Sequence, residues 1–165
     1  MVKPLKPSDF RLAAEVIRAS FATVAEDLGL TEQNCPKYVG FVTTPERLHT
    51  QHSRGWLIYG LCENEHMVGY VSISKEADGV YEIHNLAVLP EYRHKSCGKQ
   101  LLDFCMAKIS ELGGIKVTIS ITEENSLLKN WYTAYGFVHT GTKKFEHLPF
   151  NVGYMELEVS SWDSK

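Results

Sequence analysis

The stretch Leu89-Pro90-Glu91-Tyr92-Arg93-His94-Lys95-Ser96-Cys97-Gly98-Lys99-Gln100-Leu101-Leu102 places three cations, a serine and a glycine between a strand-like run and a helical one. A strand-to-helix turn of this kind leaves backbone N–H groups pointing outward, and the positive end of the helix dipole adds to them, so it suits an anion, phosphate above all. A nucleoside triphosphate loop is excluded, because that motif needs Gly at 93 and Ser or Thr at 100, where the chain has Arg93 and Gln100. Glu82 is the second candidate. It lies in the run Tyr81-Glu82-Ile83-His84-Asn85-Leu86-Ala87-Val88, whose alternation puts 82, 84, 86 and 88 on one face and 81, 83, 85 and 87 on the other. A carboxylate there is either a strand end facing water or a proton acceptor whose pKa burial would raise toward neutrality. His84, on the same side, has a reference pKa of about 6.5 that suits proton transfer. Tyr132, beside Trp131, reads from periodicity alone as a core aromatic. His49 and His52 are neighbours on one helix face, but no third ligand stands at a telling spacing, and no metal site is expected.

These residues need elements to hold them. Apolar positions at Phe10, Ala13, Ala14, Ile17, Phe21, Val24 and Leu28 predict an amphipathic helix over Ser8–Leu28, with Ser8 or Asp9 as N-cap and Gly29 as its end. Pro45–Gln51 reads as a short helix with proline at its first position. A hairpin follows, Trp56–Cys62 and Met67–Ser74 around the turn Glu63-Asn64-Glu65-His66, then a strand Val80–Leu89 that stops at Pro90. Leu101, Leu102, Cys105, Ile109 and Leu112 trace one helical face ending at Gly113-Gly114, and Val117–Ile121 alternates as a strand, which makes a β-α-β unit. A helix over Ser126–Tyr135 closes at Gly136, where Asn125 fits an N-cap, and strands near Phe137–Phe145 and Val152–Val159 complete a mixed α/β sheet of about seven strands.

The chain has 165 residues, with 17 basic and 20 acidic side chains and a net charge of −3. That is one domain's worth of sequence, and its charge balance argues against a nucleic-acid partner, which usually shows as a clustered basic excess. The N-terminus lacks an apolar signal region and no run is long enough to span a bilayer, so a cytoplasmic protein with no membrane partner is expected. Cysteines at 35, 62, 97 and 105 form no CxxC pair, and they read as reduced, mostly buried thiols.

The turn resembles the acyl-CoA pyrophosphate loop of the GNAT superfamily of N-acyltransferases, Arg/Gln-x-x-Gly-x-Gly/Ala, here Arg93-His94-Lys95-Ser96-Cys97-Gly98. Ser96 stands at the usual middle glycine, which should cost about 1 kcal/mol if that position needs positive φ. A second block, Asn125-Ser126-Leu127-Leu128-Lys129-Asn130-Trp131-Tyr132-Thr133-Ala134-Tyr135-Gly136-Phe137, is similar to the family's Asn-(6)-Tyr-(3)-Gly-Phe segment. With the strand they cover residues 81–137, and the element order extends the likeness over essentially the whole chain, residues 1–165, as a single domain.

The resemblance implies the GNAT fold, a sheet of about seven strands flanked by about four helices, and an acetyl-CoA-dependent N-acetyltransferase without metal. It implies that amides 94–99 hold the pyrophosphate, with Arg93, His94, Lys95, Ser96, Cys97, Gly98 and Lys99 forming the loop. The backbone of Leu86, Ala87 and Val88 would line the pantetheine arm, which Asn125 also approaches. Glu82 or His84 would take the proton of a primary amine, and Tyr132, with Tyr135 as the weaker candidate, would serve the departing thiolate as general acid. The rival is a non-catalytic acyl-CoA-binding or regulatory interaction module, against which the retained Glu82 and Tyr132 count. Acceptor choice in the family rests on segments that are here about Ser20–Pro45 and Glu146–Gly153. Their Phe21, Tyr38, Phe41, Phe145 and Phe150 beside Glu26, Asp27, Glu32 and Glu146 suggest a small cationic amine, with peptide N-termini, lysine side chains and amino acids open. A homodimer is common in the family.

Overall fold

The computed structural model describes residues 1–163; the last two positions of the expected single domain, 164 and 165, lie outside the described residues. The first elements are β1 (Val2–Pro4), α1 (Phe10–Leu28), α2 (Val39–Val42) and α3 (Pro45–Ser53). Next come β2 (Leu57–Glu63), β3 (His66–Ala77) and β4 (Val80–Val88), then α4 (Cys97–Glu111), β5 (Lys116–Thr122) and α5 (Ser126–Tyr135). The chain finishes with β6 (Val138–Lys144), β7 (Asn151–Glu158) and α6 (Val159–Asp163). The seven strands form one sheet in the order β1-β2-β3-β4-β5-β7-β6, in which only β4 and β5 run parallel.

Both faces of the sheet are covered. On one, Leu101, Leu102, Met106 and Ile109 of α4 and Tyr132 of α5 bury against Val71, Ile83 and Ile119. On the other, Phe10, Ala13 and Ile17 of α1 pack with Leu48 of α3 over Ile58, Tyr70 and Ala87. Fully burying one such leucine, isoleucine or phenylalanine is worth about 1.5–3 kcal/mol, so the two helical layers need no crosslink, and all four cysteines are free.

The hairpin between β2 and β3 turns through Asn64 and Glu65, both at positive φ, the geometry that matches the twist of the flanking strands. Three elements go beyond the sequence reading. β1, α2 and α6 are three to five residues long, too short to show a period, and pairing or packing creates them. Asp9 does precede α1, but its carboxylate accepts from the Lys6 amide rather than capping the helix, because a 3-10 turn at Pro7–Asp9 intervenes.

Two distortions of β4 create the site. Its pairing with β5 is confined to Val80, Glu82 and the residue between them, after which the strands part. Its pairing with β3 slips by one residue, since Tyr70 faces Ala87 while Ser72 faces His84. Asn85 sits in this bulge at φ 52, a left-handed conformation that asparagine tolerates better than most residues. The expected alternation therefore breaks. Glu82 and His84 share a face with Ala87 toward α1, while Leu86 and Val88 join Tyr81 and Ile83 toward α4.

Candidate active site

Where β4 and β5 part, a cleft of about 330 Å³ runs through the sheet. Its α4 and α5 side is lined by Leu86, Ile119, Ile121, Leu128 and Tyr132, and its other side by residues of α1, α2 and the β6–β7 connection. Beyond Glu82 the β4 edge away from β3 has no strand partner among the described residues, which leaves part of the backbone of Leu86, Ala87 and Val88 along an open slot, with Ala87 paired to Tyr70 of β3 and the Val88 carbonyl accepting from Arg93 Nε at 3.3 Å. A ligand with amide groups could pair there as a strand would.

At the end of β4 the chain passes a 3-10 turn, Pro90–Tyr92, and enters α4 through residues 93–96. His94 and Ser96 adopt φ 61 and 63. Their left-handed conformations alternate with right-handed or extended ones, folding the backbone into a concavity of N–H groups. Between the Arg93 amide, which donates to Pro90, and that of Gln100, which donates to Ser96, no backbone amide donates to a described carbonyl. Six consecutive N–H groups at a helix N-terminus are thus free to bind an anion. Ser96 does require the conformation that glycine adopts without strain. Gly98 does not, having no positive φ, and a Cβ there would meet the Trp131 ring at 3.4 Å, an ordinary packing distance.

The loop side chains are less available than their backbone. The Arg93 guanidinium turns back to α1, donating to the Thr23 hydroxyl at 2.8 Å and the Ser20 carbonyl at 2.7 Å, so it anchors the loop instead of lending it free charge. Lys99 pairs with Asp103 at 2.6 Å, and the Lys95 ammonium lies 5.2 Å from the Tyr92 ring centroid. Cys97 is buried, its thiol 3.6 Å from Glu63. His94, Lys95 and Ser96 are exposed. Asn125 is the N-cap of α5, accepting from the Leu128 amide at 3.2 Å, and it also lines the cleft.

Tyr132 is buried with its ring against Trp131 and Phe137, and it lines the cleft. Among the described residues nothing hydrogen-bonds its hydroxyl. Burial, reinforced by Cys105, pushes the phenol well above its ordinary pKa and keeps it protonated. Tyr135 is placed differently: its hydroxyl donates to Asp103 at 2.6 Å and accepts from the Trp162 indole at 2.9 Å, in a separate surface depression.

Glu82 stands at the apex where the strands part, adjoining the cleft residues Ile83 and Ser120, and it accepts from the Ser120 hydroxyl at 3.2 Å. Burial raises its carboxyl above the usual range; the Glu76 charge acts in the same direction and the Ser120 hydrogen bond opposes it. His84 stacks on Trp56 at 4.2 Å, and burial lowers its imidazolium to about 4 against the pull of Glu76. Its Nε2 is 2.7 Å from Ser74 Oγ, whose hydroxyl donates to Glu76. The one Ser74 proton being so used, Nε2 is assigned as the donor to Ser74, which leaves it no lone pair for a substrate. Glu76, Glu82 and His84 gather within 4.8 Å. Sequence reading singled out Glu82 and His84 but missed Glu76, Ser74 and Ser120, which carry no motif and meet only through strand pairing. His49 and His52 lie instead against the Phe10 ring.

The described helices include none long and apolar enough to cross a membrane. The model of the acetyltransferase (GNAT) family matches residues 23–137, more than half of the sequence. The chain belongs to the GNAT family. Its fold is the GNAT fold: the PaiA N-acetyltransferase of Thermoplasma acidophilum, solved in complex with coenzyme A, superposes with a TM-score of 0.81 over 96% of this chain and 98% of that one, at 20% identity. The ribosomal-protein-S18-alanine N-acetyltransferase of Escherichia coli gives 0.74 at 15% identity, covering 96% and 93%. Among curated proteins, an uncharacterized N-acetyltransferase of Mycobacterium tuberculosis is 25% identical over 79 residues, 48% of this chain. That match spans about half the relative's own length, 51%. In this GNAT frame the β4 edge runs from the cleft that Leu86 and Tyr132 line to the amide-lined turn that follows the strand.

Proposed function

We propose that the protein transfers an acetyl group from acetyl-CoA to a primary amine by direct attack, within a single GNAT domain. The observation that carries this reading is the continuity of the free amides at 94–99, the unpaired β4 edge at 86–88 and the cleft under Tyr132. The amides suit a pyrophosphate and the edge a pantetheine arm, which in this reading brings the thioester into the cleft between Tyr132 and the Glu82 corner that adjoins it. The amine nitrogen attacks the thioester carbonyl carbon, the C–N bond forms and the C–S bond breaks. The amine proton goes to Glu82, directly or through a water, and Tyr132 donates to the sulfur as it leaves as coenzyme A. Glu82 is a better base than His84, because its pKa is raised whereas the Nε2 of His84 is committed to Ser74. Holding both reactants in one cleft supplies much of the rate.

Acetyl-CoA at 100 times its dissociation constant should stabilise the protein by about 2.7 kcal/mol in a thermal melt, and no shift with any acyl-CoA would remove the cofactor assignment. Tyr132→Phe should lower turnover about 10²-fold with acetyl-CoA affinity nearly intact; unchanged turnover would remove Tyr132 from the chemistry.

A further inference from the structure

The acidic side chains of the two variable segments, Glu26, Asp27, Glu32 and Glu146, are all exposed, and none lines the cleft. The acceptor side is walled instead by Phe21, Val24, Tyr38, Val39, Leu148 and Phe150. Leu148 and Phe150 reach over from the β6–β7 connection and pack on Ala25, Leu30, Cys35 and Tyr38, so that connection straps the cleft to the N-terminal helices. Lys37 is the one charged side chain among the lining residues; it is exposed at the rim and forms no ion pair among the described residues. The volume of about 330 Å³ must also admit the end of the acyl-CoA arm.

These features bear on the acceptor. A polyamine or aminoglycoside would set one amino group at Glu82, but its further ammonium groups would meet a lining with no carboxylate, beside a lysine of the same sign, and their lost hydration would go uncompensated. Apolar and aromatic walls favour a body of the same kind. We propose that the acceptor is a small primary amine with an apolar or aromatic body and one carboxylate, which meets Lys37 at the rim. The inference rests on the acetyltransferase reading and narrows its substrate class.

The experiment measures coenzyme A release from acetyl-CoA with 4-(2-aminoethyl)benzoate, L-phenylalanine, phenethylamine, spermidine and kanamycin, beside thermal melts of each amine with coenzyme A present. The better of the two carboxylated amines should exceed spermidine in kcat/KM by about tenfold or more, and Lys37→Glu should reduce that ratio by about fivefold. A preference for spermidine or kanamycin, a ratio insensitive to Lys37→Glu in a variant that acetyl-CoA still stabilises, or no reaction and no binding by either carboxylated amine would each overturn the proposal. Failure of acetyl-CoA to stabilise the wild-type protein is the separate result that would instead overturn the underlying reading.

Discussion

The turn at residues 93–99 and the corner around Glu82 both depend on β4, but they are assembled by opposite means. The turn is contiguous. Its binding capacity lies in six backbone amides left free by local conformation, with Arg93 tying it to α1. The corner draws Ser74 and Glu76 from β3, Glu82 and His84 from β4 and Ser120 from β5, and its chemistry lies in side chains whose proton affinities their neighbours set. Backbone amides do not titrate and tolerate side-chain exchange, whereas a cluster of carboxylates and an imidazole is sensitive to every member. Substitutions in the turn should therefore act mainly on cofactor affinity and stability, and those in the corner on rate and pH dependence.

The sharpest way to break this division is Glu82→Gln, which should lower turnover by about 10²–10⁴-fold while acetyl-CoA still raises the melting temperature. Comparable losses of both would mean that the corner also holds the cofactor. Next in size is acid sensitivity. The folded-state pKa of His84 is about 4, below its ordinary value of 6.5, so as pH falls the unfolded chain takes up this proton first. His84 therefore contributes stability that is full above about pH 6.5 and lost as pH falls toward 4, on the order of 2–3 kcal/mol. Urea unfolding at pH 7 and pH 4 should show wild type losing more than His84→Gln; equal losses would contradict the buried neutral imidazole.

Opposite displacements within the corner are a finer check. Glu76→Gln removes a charge that raises the Glu82 pKa, so the acid limb of kcat/KM should move to lower pH; Ser120→Ala removes a hydrogen bond that lowers it, so the limb should move up. Displacement of both in one direction would exclude Glu82 as the group observed. The smallest effect belongs to the turn: Ser96→Gly relieves a left-handed serine and should stabilise by up to about 1 kcal/mol, a rise of roughly 2–4 °C in Tm, with the pH profile unmoved.

The division also decides what could be read in advance. The turn was legible because its conformation follows from local order: a strand, small and basic residues, then a helix. The α5 block was legible for the same reason, since Asn125 as cap and Tyr132 one face along the helix are fixed by spacing. At the corner only Glu82 and His84 were visible, being two residues apart on one strand. The alternation that placed them with Leu86 and Val88 failed at Asn85, because a bulge adds one residue and a period of two then changes sides.

By itself, then, the sequence determined the order of the longer elements, the strand-to-helix turn and the positions of Glu82 and Tyr132, because each depends on residues a few places apart. Only the tertiary structure decided that β4 and β5 part after Glu82, that Ser74, Glu76 and Ser120 gather around Glu82 and His84, and that Arg93 bonds to α1. It alone placed Glu26, Asp27, Glu32 and Glu146 outside the cleft and Lys37 at its rim. These are contacts across a sheet or between distant segments, and which side chains they join is set by strand register, the bulge and the folding of the β6–β7 connection onto α1 and α2, none of which has a local signature.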